Sequence, residues 1–331
     1  MNKKRILILI STIILIIISL GAIKQIRNNP PVVDSNLSEY GPGDNEFSLV
    51  HDGLTRKYKA HVPPNYDKNT KTPVVIYIHG GGGSSEGSKN DGLYAYSDKY
   101  DFILLSPAGT GVLKDRLLVW NLGPYLINGN IQNHPNYASE HNTDDIGFLS
   151  KMIDDVKNKF NVDENCIYAT GISQGGMMSY RLACELSDKI AAIAPVAPPA
   201  GPMNCAPSRP VPAMHIHGTA DPCAPFNGGM SGGCLGTEKE LFQSAQEMVD
   251  RWKEINKCSA GSATVYQKGN AICVSYRQCQ GSSEVEFCTV EGMGHTYPSG
   301  WQYLPVRTVG PVSYDISFDQ IWDFFRKHPI K

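Results

Sequence analysis

The sequence predicts an α/β protein in which helices cover both faces of a mostly parallel central sheet. Short runs that are apolar on both faces, such as Pro73 to His79 (PVVIYIH), Ile190 to Val196 (IAAIAPV) and Val211 to His217 (VPAMHIH), suit strands buried from both sides. Between them lie stretches with apolar residues at helical spacing, and strands alternating with helices imply parallel pairing. A third observation is the turn Gly171-Ile172-Ser173-Gln174-Gly175, set between a short buried strand (Ile167 to Ala169) and a helix carrying Met177, Met178 and Tyr180. In such an elbow the glycines remove side chains that would clash, and the serine oxygen stands above the sheet beside a backbone N–H.

The 331 residues, 41% hydrophobic and 19% charged, suffice for one large domain. A formal net charge of −2 gives no basis for a nucleic acid or an acidic polymer as partner and favours a neutral substrate. Lys3, Lys4 and Arg5 precede an apolar run from Ile6 to Ala22. That run is short for a span of about 20 residues and has no clear cleavage site after it, so residues 1–27 read as a signal peptide, cleaved near Gly21 or Ala22, or as an N-terminal membrane anchor. Either reading places the rest outside the cytoplasm, secreted or held at the outer face of the membrane. Residues 28–43 read as a linker and 44–331 as the globular domain, expected to be monomeric.

Nine cysteines fit an oxidising compartment. Cys273 and Cys288 face each other in two strands around a Gly281-Ser282 turn. The spacing further predicts Cys258 with Cys279, Cys184 with Cys205 and Cys223 with Cys234, leaving Cys166 as a free thiol. No C-x-x-C pair or Cys/His cluster suggests a metal, and none is expected.

Along the chain, Arg56 to Val62 alternates as an edge strand. Pro73 to His79 then runs into Gly80-Gly81-Gly82-Gly83, where lipases and esterases aim a backbone N–H at a developing oxyanion; Gly81, paired with the N–H of Gln174, is the candidate donor. Phe102 to Ser106 is a buried strand. Residues 121–141 form a polar surface excursion beside which Trp120 and Tyr125 either line a pocket or cover the core. Thr143 caps a helix opened by Asp144 and Asp145, with Ile146, Leu149, Ile153, Val156 and Phe160 as its apolar stripe. A second G-x-S-x-G match, Gly229 to Gly233, has no strand before it and no helix after it, and is a flexible loop. A helix from Thr237 to Asn256, the cysteine hairpin and a last helix from Ile316 to Phe325 complete the chain.

Serine is a poor nucleophile at neutral pH unless a base lies within hydrogen-bond reach and a third group fixes that base. On strand elbows the chain order is Ser, acid, His, and Ser173, Asp221 and His295 satisfy it. Asp221 lies just past a strand's end, on the sheet edge where open α/β sheets bind ligands. Of the nine histidines, His51 and His61 come too early and His79 sits at the oxyanion segment. His215 and His217 precede the acid, His134 and His141 fall in the excursion, and His295 occupies a Gly-flanked loop after a strand.

IHGGGGS (Ile78 to Ser84), DDIGF (Asp144 to Phe148), GISQGGMMSYRLACE (Gly171 to Glu185), HIHGTADP (His215 to Pro222) and GHTYPSGWQYLP (Gly294 to Pro305) occur in that order. As a set, spanning about residues 45 to 328, they resemble the polyhydroxybutyrate-depolymerase-like esterases related to the feruloyl and acetylxylan esterases of carbohydrate esterase family 1. The resemblance implies an α/β-hydrolase fold and a cofactor-free serine esterase, with Ser173 as nucleophile, Asp221 as acid and His295 as base. It implies feruloyl or acetyl esters of plant polysaccharide, or hydroxyalkanoate polyesters, as substrates. The chain departs from the family at Tyr297, where tryptophan is common, and in the Cys223 to Cys234 insertion. Tyr297, Trp301 and Tyr303, directly after the base, either hold a phenolic acid or pack the loop. Two other readings are a serine peptidase of the prolyl-oligopeptidase kind, which lacks support from any N-terminal propeller, and a catalytically silent binding protein.

Overall fold

The computed structural model describes residues 40–331 apart from 128, 129, 134, 203, 233, 235–239 and 260. The N-terminal apolar segment and most of the linker lie outside the described residues. Ten strands among the described residues form one sheet. In chain order they are β1 (Gly43–His51), β2 (Leu54–Val62), β3 (Thr72–Ile78), β4 (Ile103–Pro107), β5 (Val162–Ile172), β6 (Ala192–Val196), β7 (Ala213–Gly218), β8 (Ser262–Lys268), β9 (Ala271–Tyr276) and β10 (Val285–Val290). The spatial order is β1-β2-β4-β3-β5-β6-β7-β10-β9-β8. From β4 to β10 in that order the neighbours pair in parallel, and the antiparallel hairpins β1/β2 and β8/β9 extend the two ends.

The longer helices are α1 (Leu93–Tyr100), α2 (Asp145–Lys159), α3 (Gln174–Glu185), α4 (Ala245–Ile255) and α5 (Phe318–Phe325). Phe148, Met152, Met177, Met248 and Trp252 from α2, α3 and α4 fill the core on one face of the sheet. Leu93, Phe318, Trp322 and Phe325 from α1 and α5 fill the other. The central strands lie between, with Val75, Ile76 and Ile78 fully buried; burying one such side chain is worth about 1.5–3 kcal/mol.

Several expectations change. Arg56 to Val62 is not an edge, because β1 pairs along its whole length. Only Phe47 and Leu49 of β1 pack on the core, so the strand carries little apolar pattern. Strand β8 is exposed at nearly every position and carries as little signal. Asp144, not Thr143, caps α2, its carboxylate accepting from the N–H of Gly147. Helix α4 starts only at Ala245, where Ser244 and Glu247 form a capping box. Gly229–Met230 of the second G-x-S-x-G match pairs with Leu241–Phe242 in a two-residue ladder. The excursion contains a small hairpin, Pro124–Ile127 with Asn130–Asn133.

The cysteine pairing is as expected: Cys184–Cys205, Cys223–Cys234, Cys258–Cys279 and Cys273–Cys288 are disulfides and Cys166 is free. Cys273 and Cys288 are direct partners in the β9/β10 register.

Candidate active site

Ser173 stands where β5 turns into α3, at φ 58° and ψ −121°. Such backbone strain costs on the order of 1–3 kcal/mol and persists where the surroundings over-determine it. The surroundings do so here. A Cβ on Gly171 would lie 2.3 Å from the Ile78 carbonyl oxygen, and one on Gly175 only 1.9 Å from it. The N–H of Ser173 donates to the carbonyl of Val196 at 2.9 Å. The turn is wedged between the ends of β3 and β6, at the C-terminal edge of the sheet.

The glycine segment after β3 packs on this turn. A Cβ on Gly80 would sit 3.4 Å from that of Ser173, and one on Gly81 2.7 Å from Gln174 Nε2. Gly82 N–H donates to Leu118 O at 2.8 Å, and Gly83 N–H to Gly80 O at 3.0 Å. Gly81 N–H has no acceptor among the described residues, and Gln174, first in its helix, has no intrahelical acceptor. Burial lowers His79 to about 4, so it is neutral. Its Nδ1 donates to Gly80 O at 2.7 Å, while its Nε2 accepts from Gly109 N–H at 3.1 Å.

Asp221 follows β7. One carboxylate oxygen accepts from the N–H groups of Cys223 and Ala224, each at 2.8 Å, and the other from His295 Nδ1 at 2.7 Å. Burial alone would raise this carboxyl, but His295 and the donors around it outweigh burial and hold it below the usual range. His295 follows β10, is 5% exposed, and its own N–H donates to Val309 O at 2.5 Å. With Nδ1 donating to Asp221, Nε2 is the ring nitrogen left to meet a proton donor, and it has no hydrogen-bond partner among the described residues. Ser173 Oγ likewise makes no hydrogen bond with any described group; in free enzymes such contacts are often long and tighten with substrate. Asp221, Cys223 and His295 offer ligand atoms within 4.8 Å of one another, but Cys223 is bonded to Cys234 and has no thiolate to give.

The loop that carries His295 is tied to β5, the strand that leads into Ser173. Tyr297 and Thr170 hydroxyls, the latter on β5, lie 3.0 Å apart, and the Tyr297 ring meets Tyr77 edge-on at 5.4 Å. Asp91 accepts from Tyr77 Oη and from Trp301 N–H. Thr170 and Asp91 lie in no motif, and only the folded contacts reveal them.

Two of the three expected pocket residues are buried instead. Trp120 is fully covered, its Nε1 donating to His79 O at 3.0 Å and its N–H to Gln174 Oε1 at 3.3 Å, so it braces the glycine segment from below. Tyr297 is 1% exposed and packs the loop. Trp301, 54% exposed, has a free face. An open depression of about 340 Å³ lined by Glu291, Met293 and Tyr314 includes neither Ser173 nor Gly81, and is not taken as the substrate site.

Residues 53–291 match the family model described as "Putative esterase". The chain belongs to this esterase family. Feruloyl esterase B of Piromyces equi is 28% identical over 268 residues, 75% of this esterase chain, which spans only 45% of that relative's length. Feruloyl esterase D of Neurospora crassa is 26% identical over 252 residues, 73% of this chain and 74% of the relative. The solved acetyl xylan esterase from Aspergillus awamori superposes with a TM-score of 0.54 at 14% identity, covering 85% of this chain and 99% of that one. With the sheet described above, that likeness gives the α/β-hydrolase fold.

Proposed function

We propose that the protein is an extracellular serine carboxylesterase acting through an acyl-enzyme. The observation that carries this reading is the Asp221–His295 hydrogen bond on the sheet edge where the strained Ser173 turn ends. Ser173 Oγ attacks the ester carbonyl carbon as His295 Nε2 takes its proton, and Asp221 holds the imidazole in the required tautomer. The N–H groups of Gly81 and Gln174 donate to the oxyanion. The tetrahedral centre collapses, the bond to the alcohol oxygen breaks, and His295 returns the proton to the leaving alkoxide. Water then attacks the acyl carbon, giving a proton to His295, and Ser173 leaves protonated. None of these steps calls for a cofactor.

Feruloyl or acetyl esters of plant polysaccharide are the favoured substrates. The two feruloyl esterases and the acetyl xylan esterase above support that class, and exposed Trp301 is available to a phenolic ring. Hydroxyalkanoate polyesters are the other substrate class that the motif resemblance implies. Four disulfides support an oxidising compartment, whether the N-terminal segment is cleaved or anchors the protein.

Ser173→Ala tests the reading. Turnover of p-nitrophenyl acetate and methyl ferulate falls by a factor on the order of 10³ or more with the melting temperature kept; near wild-type turnover refutes it. Preference for an aminoacyl anilide over methyl ferulate would make the protein a peptidase instead.

A further inference from the structure

Behind the acid lies a buried row of polar side chains that the chemistry above does not use. Tyr180 is on α3, the helix that begins at the nucleophile turn, and His215 and His217 are on β7, just before the acid. Tyr180 Oη lies 2.9 Å from His215 Nδ1, His215 Nε2 lies 3.1 Å from His217 Nδ1, and His217 Nε2 lies 2.8 Å from Ala224 O. All three side chains are at most 1% exposed.

Only one arrangement of protons satisfies this row. A carbonyl oxygen accepts and never donates, so His217 Nε2 carries hydrogen. Burial keeps both imidazoles neutral by lowering their pKa values, so His217 Nδ1 is an acceptor, His215 Nε2 donates to it, and His215 Nδ1 accepts from the phenol. Burial raises the Tyr180 pKa and keeps its proton in place. The chain therefore runs one way, from phenol to imidazole to imidazole to the Ala224 carbonyl. The Ala224 backbone passes the constraint on: its carbonyl, in the peptide shared with Pro225, is held by His217, and its N–H, in the peptide shared with Cys223, donates to Asp221 at 2.8 Å from the other side of the same Cα. His217 Nε2 is also 3.6 Å from the Asp221 oxygen that faces His295.

We propose that Tyr180, His215 and His217 are positioning residues that hold the backbone on both sides of the Ala224 Cα, and through it the Asp221 carboxylate, at the angle His295 requires. The row fastens the acid turn to the nucleophile helix, so two triad members on different elements share one brace. None of the three touches substrate. Their loss misaligns the acid and slows chemistry without weakening substrate binding.

This inference rests on Asp221 being the acid, so Asp221→Asn is the control. In the disulfide-bonded protein, kcat and KM for p-nitrophenyl butyrate are measured with melting temperatures for His217→Leu, His217→Gln and Tyr180→Phe. His217→Leu lowers kcat about tenfold or more, the worth of one positioning hydrogen bond, with KM within about twofold. Glutamine, whose terminal N–H reaches as far as His217 Nε2, restores most of the loss. Tyr180→Phe, which removes one hydroxyl and serves if His217→Leu does not fold, gives a smaller fall of the same kcat-only kind. Folded variants with kcat within about twofold of wild type, beside an Asp221→Asn that is inactive, overturn the positioning role alone. An active Asp221→Asn overturns the acid assignment and this inference with it.

Discussion

Asp221 gives its two oxygens different tasks: one is saturated by two backbone N–H groups and the other faces the imidazole. An asparagine there keeps the first task, since its oxygen accepts the same two donors, but turns an N–H toward His295 Nδ1. The ring must then take the opposite tautomer, with hydrogen on the nitrogen that should receive the serine proton. Asp221→Asn is accordingly expected to cut kcat by roughly 10⁴ with little change in melting temperature. A loss below about tenfold contradicts the assignment. At this scale the motifs pointed to Ser173, Asp221 and His295, and the structure pairs the last two directly. Trp120 and Tyr297 show what motifs leave out. Both are aromatic and near the chemistry in sequence, as pocket walls would be, but which face of a ring meets solvent depends on distant segments such as Thr170 and His79. His215 and His217 precede the acid, so residue order excludes them as the base; their value lies in hydrogen-bond direction, which residue order does not carry.

At the scale of elements, the buried strands declared themselves through runs apolar on both faces, while β1 and β8, being polar and exposed, did not. Helix α2 is tied to β2 by an ion pair that the pattern Thr143-Asp144-Asp145 conceals. Asp145 sits next to the cap but is buried, with Arg56 Nη2 at 2.6 Å and the Asn121 N–H at 2.7 Å. Both side chains are at most 2% exposed. Arg56→Met leaves a buried carboxylate without its cation, and is expected to cost about 3–5 kcal/mol in denaturant unfolding. A cost under about 1 kcal/mol would mean that the pair does not fasten the strand to the helix.

For the molecule as a whole, stability is expected to depend on a carboxyl far from the chemistry. Glu286 is 6% exposed near the start of β10, while His295 follows that strand's other end. Burial, then repulsion from Glu284, pushes it up to about 7 from an ordinary 4.5. Folding therefore favours the protonated form. Its contribution is intact below pH 4.5 and declines as pH rises toward 7, reaching a penalty on the order of 3 kcal/mol above that. Glu286→Gln should raise the melting temperature at pH 8 and leave it unchanged at pH 4; equal shifts at both would contradict a titrating origin.

The reaction proposed above needs one hydroxyl, that of Ser173 on its strained turn at the sheet edge, to be the nucleophile. A fluorophosphonate probe followed by peptide mapping tests it most directly, since it reports an activated serine without assuming any substrate. Stoichiometric modification of Ser173, abolished in His295→Ala, is the expected result. Absence of labelling, or labelling of Ser231 in the second G-x-S-x-G match, would contradict it.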